Sequence, residues 1–292
     1  MVECAAVASS QVWIRVNNNQ FVEQPQTILQ CRSEEEAIAH ILKVNKPNIV
    51  AIGETHPYTD DGKKPTTLKL FVRTILPVLK DAGFNDLVLE MLYSDDASNR
   101  LVNRHLQTGK PENILKKVMY SPNGPNQFGM EELLITAKEL KINLFGGGPR
   151  ITDRETSYIR DIRSDKDKSG NKLIALTRRI TQRTIEKALS LLKRPGPKKL
   201  ITYNGGYHND VVNTFGIRGF SFGGYFTSKT KFNYVEIDLL SPELMNSQGK
   251  DNYAYPEYEN WMKTAVPQKG VMLIKRGNSS YTIMFPAKTL VP

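Results

Sequence analysis

Four short apolar runs constrain the fold of this chain more than any other sequence feature. They occupy residues 48–53, 86–91, 142–146 and 199–203. Helical patterns occupy the intervals between them, at residues 67–82, 97–106, 131–140 and 173–192. Strands that alternate with helices favour a parallel sheet, because a parallel connection needs a long crossover. We therefore predict an α/β fold with a largely parallel central sheet and helices on both faces, and a kink at Pro77.

The rest of the sequence predicts a smaller number of regular elements. Residues 234–240 have the composition of a further strand, and residues 271–275 and 281–285 predict a C-terminal β-hairpin. Three regions follow from these patterns. We expect an N-terminal extension with a helix at 1–44, an α/β core of catalytic type at 45–240, and an irregular segment with the hairpin, packed on the core, at 241–292.

The composition is that of an ordinary globular protein rather than a disordered one. The 292 residues are 39% hydrophobic and carry a formal net charge of +10. No run approaches the roughly eighteen apolar residues of a membrane-spanning helix, and residues 1–10 lack the features of a signal peptide. We expect a soluble protein with no visible export signal, which would be secreted, periplasmic or a delivered effector if a leader was removed.

Both cysteines, Cys4 and Cys31, occur near the N-terminus. They have neither the CxxC spacing nor the histidine neighbours of a metal site. We therefore expect buried or incidental thiols rather than a disulfide scaffold or a catalytic nucleophile.

Nearly all of the excess positive charge lies in residues 160–199, which contain thirteen Lys and Arg against four Asp and Glu. Apolar residues recur there at helical spacing, while Arg178, Arg179 and Arg183 fall largely on other faces. A solvated helix face is the simpler interpretation, and a surface for an acidic partner or a membrane is the alternative. No aromatic residue interleaves this helix, so we expect no specific nucleic acid partner.

Charged and imidazole side chains follow or interrupt the predicted strands. Glu54 and His56 lie directly after the first strand, and His208 follows the fourth. Glu90 interrupts the apolar run of the second strand, where an unpaired buried carboxylate would be costly. Because the carboxyl ends of parallel strands meet at one edge of a sheet, we predict that these four residues form one site.

The same positions resemble a known superfamily. Residues 53–56 (Gly-Glu-Thr-His), Glu90 in Leu-Val-Leu-Glu-Met, and residues 205–209 (Gly-Gly-Tyr-His-Asn) resemble the three signature elements of the erythromycin-esterase/ChaN-like superfamily. That group includes haem-binding ChaN lipoproteins, Tiki metalloproteases, erythromycin esterases and the Ras/Rap1-specific endopeptidase domain of bacterial toxins. The resemblance covers roughly residues 45–225. It implies an α/β fold with a Glu/His-lined cleft, whose catalytic set in the toxin endopeptidases corresponds to Glu54, His56, Glu90 and His208.

Hydrolysis of an amide or ester bond is the leading hypothesis for this cleft. Either Glu54 or Glu90 would take a proton from water and return it to the leaving group. The imidazoles of His56 and His208 would polarise the scissile carbonyl or stabilise the oxyanion. The expected substrate is a peptide, a protein or an ester. The further candidates for substrate binding are Arg150, Arg154, Tyr207 and Asn209.

Several alternatives stay open from the sequence. The same four Glu and His residues also suit a divalent metal such as zinc or manganese. A haem- or iron-binding protein of the ChaN type, without catalysis, is the competing class, because Tyr58, Tyr93 and Tyr207 lie near the motif positions. A degenerate site that binds only a protein partner is the third. A nucleotide cradle and a serine triad are not expected, because residues 146–148 fit no phosphate-binding motif and no GxSxG sequence occurs.

Overall fold

The computed structural model describes residues 4–17, 20–54, 67–108, 114–119, 127–149, 170–212, 217–243, 261 and 269–286. Nine strands lie within these ranges. They are β1 (Ala5–Asn17), β2 (Gln20–Cys31), β3 (Ile49–Glu54), β4 (Asp86–Tyr93), β5 (Asn143–Gly148), β6 (Leu200–Gly205), β7 (Tyr234–Leu240), β8 (Val271–Lys275) and β9 (Ser280–Met284).

The helices of the described ranges pack on this sheet. They are α1 (Glu34–Asn45), α2 (Thr67–Leu70), α3 (Leu76–Asp81), α4 (Asp96–Thr108), α5 (Ile114–Val118), α6 (Gln127–Glu139), α7 (Asn171–Leu192) and α8 (Gly223–Lys229). A π-helical turn, Phe71–Ile75, joins α2 to α3. Among the described helices, none combines the length and the apolar character needed to cross a membrane.

All nine described strands belong to one sheet, in the order β1-β2-β8-β9-β7-β3-β6-β4-β5. The strands from β9 to β5 in this order pair in parallel. The remaining pairs, β1 with β2, β2 with β8 and β8 with β9, are antiparallel. The predicted fold class is therefore confirmed: the protein is α/β with a mostly parallel sheet, helices and a C-terminal hairpin.

The two faces of the sheet form separate apolar layers. Side chains that include Val50, Ile52 and Tyr203 pack with α1, α4, α6 and the segment from α2 to α3. Their neighbours along the strands, such as Ile49 and Ala51, pack on the opposite face with α7 and α8. This alternation follows from the pleat of a strand, which sends successive side chains to opposite faces. Parallel strands buried on both faces are correspondingly apolar throughout.

The segment from α2 to α3 is continuous, and Pro77 accounts for its irregular turn. Proline has no N–H to donate to the preceding turn, so a regular α-helical ladder cannot pass through it. Just before Pro77, the N–H of Leu76 donates to the carbonyl of Phe71, five residues back. A π-helical turn thus accommodates the missing N–H of Pro77 at the position of the predicted kink.

The N-terminal region contains a hairpin that the sequence analysis did not predict. Strands β1 and β2 pair from Ala5 opposite Gln30 to Asn17 opposite Gln20. This register places Cys4 beside Cys31, with their Cα atoms 4.6 Å apart, and the two form a disulfide. The expectation of unpaired thiols was wrong because the pairing depends on the hairpin register, which the spacing of two cysteines does not reveal.

Candidate functional site

The candidate site lies at the carboxyl edge of the three central strands. Glu54 ends β3, Gly205 ends β6, and these two residues are register partners. Glu90 belongs to β4, the neighbour of β6 on the other side. Both carboxylates are almost wholly buried, with 2% of Glu54 and 4% of Glu90 exposed. The end of β6 therefore separates two buried carboxylates at one edge of the sheet.

The two carboxylates leave their strands on opposite faces. Glu54 is two residues beyond Ile52, whose face packs against α2 and α6. Glu90 is two residues beyond Val88, whose face packs against α7. Because side chains two residues apart on a strand share a face, Glu54 and Glu90 reach the edge from opposite sides.

Glu54 is held by a tyrosine that the sequence analysis did not single out. The hydroxyl of Tyr203, on β6, donates to Glu54 Oε2 at 2.6 Å, and Thr67 Oγ1 lies 3.4 Å from the same hydroxyl. Complete burial, followed by the charge of Glu54, raises the pKa of Tyr203 well above its ordinary value. Tyr203 consequently stays protonated and remains a donor to the carboxylate.

Glu90 joins the backbone of β6 to an imidazole. Its Oε2 accepts a hydrogen bond from the N–H of Gly205 at 2.9 Å. Its Oε1 lies 3.5 Å from Nε2 of His208. A carboxylate that accepts a main-chain N–H has a fixed position. Glu90 can therefore orient the His208 ring.

His208 sits in a tight turn directly after β6. Its N–H donates to the carbonyl of Gly205 at 2.8 Å, and its own carbonyl accepts from the N–H of Phe222 at 2.8 Å. The imidazole is stacked against Phe220, with ring centroids 6.3 Å apart and planes 22° apart. Its Nδ1 is buried and has no hydrogen-bond partner in the described ranges. Phe220 and Glu90 therefore fix the position of the ring from two sides.

Gly53, in the first motif, is required by close packing. A Cβ at this position would lie 2.0 Å from Asp238 Oδ1, 2.7 Å from Asn209 Nδ2 and 2.8 Å from the Cα of Gly206. Distances this short exclude any side chain. Glycine before Glu54 lets β3 approach β7 and the turn after β6, and so places the carboxylate.

The structure places only some of the predicted site residues. His56, Arg150, Arg154 and Tyr58 lie outside the described residues, as does most of the predicted irregular segment 241–268. Glu54, Glu90 and His208 share one edge of the sheet, on the two sides of β6. Their roles in catalysis or ligand binding stay predictions.

Two other predicted site residues, Tyr207 and Asn209, follow β6 as well. Tyr207 is half-buried next to His208, and the haem-ligand candidate Tyr93 is half-buried at the end of β4. Asn209 is fully buried, and its Nδ2 donates to the carbonyl of Ala51 at 3.3 Å and to Asp238 Oδ1 at 3.1 Å. Asn209 thus ties the turn after β6 to β3 and β7. Contact of Tyr207 or Asn209 with a substrate stays a prediction.

A second charged cluster, which the sequence analysis missed, lies beside the first. Carboxylate oxygens of Asp210, Glu236 and Asp238 lie within 4.8 Å of one another, and all three residues are buried. The guanidinium of Arg276, in the turn between β8 and β9, pairs with Glu236 and Asp238. Burial raises the pKa of Glu236 to about 7, although Arg276 opposes that shift. The sequence signal for this cluster was the presence of charged residues in the apolar strand β7, as with Glu90 in β4.

Glu54, Glu90 and His208 are not gathered as closely as metal ligands. Within the described ranges, the acidic and imidazole atoms that lie within 4.8 Å of one another in a group of three belong to Asp210, Glu236 and Asp238. In that group Arg276 already supplies positive charge. The predicted metal set also includes His56, which lies outside the described residues, so a metal at the candidate site stays a prediction.

No protein-family model and no curated protein matches the chain. Solved structures do match it. The type III effector HopBA1 is 13% identical with a TM-score of 0.49, and the match covers 88% of this chain and 96% of that one. ChaN of Campylobacter jejuni, described with cofacial heme binding, is 16% identical with a TM-score of 0.40, over 69% of this chain and 85% of that one.

A toxin component is also among the matched structures. RRSP, a MARTX toxin effector domain from Vibrio vulnificus CMCP6, is 19% identical with a TM-score of 0.42. The match covers 61% of this chain but only 31% of that structure's chain. The matched structures therefore include a ChaN and a toxin effector domain.

Proposed function

We propose that this protein is a hydrolase that cleaves an amide or ester bond at the carboxyl edge of its sheet. One observation supports this most directly: a buried carboxylate, Glu54, and an imidazole, His208, lie on the two sides of the end of β6. The imidazole is paired with a second buried carboxylate, Glu90, at 3.5 Å. Buried acid and imidazole groups at strand ends are typical of catalytic sites.

Glu54 is the better general base of the two carboxylates. Glu90 is committed to the N–H of Gly205 and to His208. Glu54 is held by the neutral hydroxyl of Tyr203, which fixes one oxygen without adding positive charge. We therefore assign proton transfer to Glu54 and orientation of the imidazole to Glu90.

In the proposed reaction the substrate carbonyl lies across the end of β6, between Glu54 and His208. Glu54 takes a proton from water as the water oxygen attacks the carbonyl carbon. The carbonyl oxygen gains negative charge, which the imidazole of His208 stabilises. As the intermediate collapses, the bond to the leaving nitrogen or oxygen breaks, and Glu54 gives that atom the proton. His56 is the second candidate for stabilising the oxyanion.

A screen of peptide and ester substrates tests this proposal. Wild-type protein would be compared with Glu54→Gln and His208→Ala, and with Glu139→Gln as a matched control for loss of one carboxylate. Glu139 is exposed at the end of α6, close to the amino edge of the sheet. We expect turnover in the wild type and in the control, and a large loss in both site variants. Equal turnover in all four proteins would contradict the proposal.

The metal content of the same proteins should also be measured. Elemental analysis of protein purified without added metal would be run on the wild type and on the Glu54→Ala/His208→Ala variant. The proposed mechanism expects turnover by metal-free protein. Stoichiometric zinc or manganese that is lost in the double variant would overturn the metal-independent assignment and favour a metallohydrolase.

Haem binding without catalysis is the second candidate. It is supported by the buried Nδ1 of His208, which has no partner in the described ranges, and by the half-buried Tyr207 next to it. Imidazole and tyrosinate both serve as axial ligands of haem iron. A haem titration followed by absorbance separates the two candidates. A Soret shift that is lost in His208→Ala supports haem binding, and no shift rejects it.

A further inference from the structure

Two arginines come together beside the candidate site. Arg178, on α7, donates a hydrogen bond from its Nε to the carbonyl of Arg218 at 2.9 Å. Its Cγ lies 3.5 Å from the position of a Cβ at Gly219, so the aliphatic part of its side chain covers this loop. Both arginines are exposed, and neither forms an ion pair with a described residue. Two positive residues thus lie side by side, with no acidic partner among the described residues.

The loop that holds these arginines also contacts His208. Residues 217–222 lie between α7 and the turn after β6. On one side, Thr181 of α7 donates to the carbonyl of Phe220 at 3.0 Å. On the other side, the Phe220 ring stacks on His208, and the N–H of Phe222 donates to the His208 carbonyl at 2.8 Å. One short loop therefore connects the arginine pair to the candidate catalytic imidazole.

The direction of α7 separates the charges of the basic region into two groups. Near the middle of the helix, Thr184 contacts Gly147 close to the carboxyl end of β5. Past its end, Arg194 lies over the ring of Phe145, and the carbonyl of Lys198 accepts from Asn48, just before β3 begins. The helix therefore runs against the strands. Arg178 lies at the edge that holds the candidate site, and residues 193–199 lie at the opposite edge.

Arg183 shows that position on α7 is not enough. It pairs with Glu186 on the next turn at 2.9 Å, so its charge is compensated by its own helix. Arg178 and Arg218 combine a place at the site edge with the absence of an ion pair in the described ranges. This distinguishes Arg178 from Arg183 and from the basic residues at 193–199.

We propose that Arg178 and Arg218 bind an acidic segment of a peptide substrate next to the bond that is cleaved. This inference rests on the proposed hydrolase function and specifies its substrate class. Guanidinium groups bind carboxylates through paired hydrogen bonds, which gives both strength and orientation. A membrane surface is less well matched, because the basic residues of the described range 170–199 divide between two edges of the sheet.

Fluorescence anisotropy with a labelled oligoglutamate peptide tests the inference without requiring turnover. We expect saturable binding to the intact wild-type chain, weakened about tenfold or more in Arg178→Gln/Arg218→Gln, since two charge-assisted contacts at exposed positions are lost. Arg218→Gln alone removes charge but keeps the loop contact, which uses the Arg218 carbonyl. It should lose part of the affinity.

The matched control removes the same charge from the opposite edge. Lys193→Gln/Lys231→Gln replaces two exposed lysines, one just after α7 and one just before β7. We expect this variant to bind oligoglutamate within about twofold of the wild type. Equal weakening in both double variants would mean that net charge alone attracts the peptide, and would overturn the inference. Failure of the wild type to bind would do so as well.

Two further measurements separate the other outcomes. Sedimentation with phosphatidylserine vesicles tests the membrane alternative. The peptide proposal would be replaced if the protein bound vesicles but not oligoglutamate, and if Arg178→Gln/Arg218→Gln abolished the vesicle binding.

Turnover is then compared on peptides that differ only in acidic or neutral flanking residues. Cleavage that ignores flanking charge overturns the inference while the hydrolase proposal stands. Binding of oligoglutamate with no cleavage of any peptide contradicts the hydrolase proposal alone.

Discussion

Two buried charged clusters lie side by side in this protein, and they are stabilised differently. In the first, Glu54 is held by the Tyr203 hydroxyl, and Glu90 by a main-chain N–H and by His208. In the second, Glu236 and Asp238 are held by the guanidinium of Arg276. Among the described residues, the first cluster uses a phenol, a main-chain N–H and an imidazole, and the second uses a guanidinium.

This difference indicates which cluster could transfer protons and which one stabilises the fold. Arginine stays charged at any physiological pH, so the second cluster is an ion-pair network that ties β7 to the C-terminal hairpin. The first cluster instead places a carboxylate and an imidazole at one edge of the sheet, and these are the side chains that most often transfer protons in catalysis. The first cluster is therefore the one suited to proton transfer, and the two should respond oppositely to substitution.

The largest expected effect is on turnover, at Glu54. Glu54→Gln should lower kcat by about 100- to 10,000-fold, the usual contribution of a general base. Glutamine can still accept from Tyr203, so the free energy of unfolding should change by only about 1 kcal/mol. Kinetics and urea denaturation on the same preparation measure both quantities. Full turnover by this variant would assign the proton transfer elsewhere.

Arg276 should show the reverse pattern. Arg276→Met keeps the side-chain volume but leaves two buried carboxylates without their cation, which costs about 3–5 kcal/mol of unfolding free energy. Urea denaturation measures this loss, with Arg183→Met as the matched control. The exposed Arg183–Glu186 pair should contribute about 0.5 kcal/mol or less. A loss below about 1 kcal/mol at Arg276 would show that the second cluster does not stabilise the fold.

The sequence predicts the first cluster better than the second for a physical reason. Glu54, Glu90 and His208 lie at or near the ends of recognisable strands, and parallel strands end at one edge, so their proximity follows from topology. Glu236 and Asp238 repeat the signal of Glu90, a charge inside an apolar strand. Their partner could not be inferred, because Arg276 reaches them from a hairpin turn whose side-chain direction no pattern encodes.

Tyr203 and the N-terminal hairpin escaped prediction for related reasons. A tyrosine in an apolar strand is typical of simple packing, and its acceptor, Glu54, is 149 positions away in the sequence. The disulfide between Cys4 and Cys31 depends on how β1 pairs with β2. Strand periodicity predicts which elements exist, but contacts between distant side chains require the assembled sheet.

The pH dependence of stability should come from the second cluster. The pKa of Glu236 is about 7 in the folded protein, above its ordinary value of 4.5, so the native state holds this proton more tightly than the unfolded state. The stabilisation is complete below pH 4.5 and is lost as pH rises through about 7. It amounts to at most about 3 kcal/mol. Glu236→Gln should flatten urea-denaturation stability between these pH values, and an unchanged slope would exclude Glu236 as its source.

The smallest expected effect is that of Tyr203→Phe. It tests whether Tyr203 positions Glu54 or only packs in the core. Tyr203→Phe keeps the aromatic contact with Phe71, whose ring centroid lies 4.8 Å away, but removes the donor to Glu54. We expect a loss of about 1–2 kcal/mol of unfolding free energy and a fall in kcat larger than any change in KM, because a carboxylate without its donor is less well placed.

Tyr281→Phe is the matched control, since Tyr281 is also buried and its hydroxyl accepts from Asn45 at 2.9 Å, away from the candidate site. A similar loss of stability with unchanged kcat in this control would assign the turnover defect of Tyr203→Phe to the position of Glu54. Equal kcat in Tyr203→Phe and the wild type would instead reduce Tyr203 to a packing residue. In that case the neutral donor would not be what distinguishes the first cluster from the second.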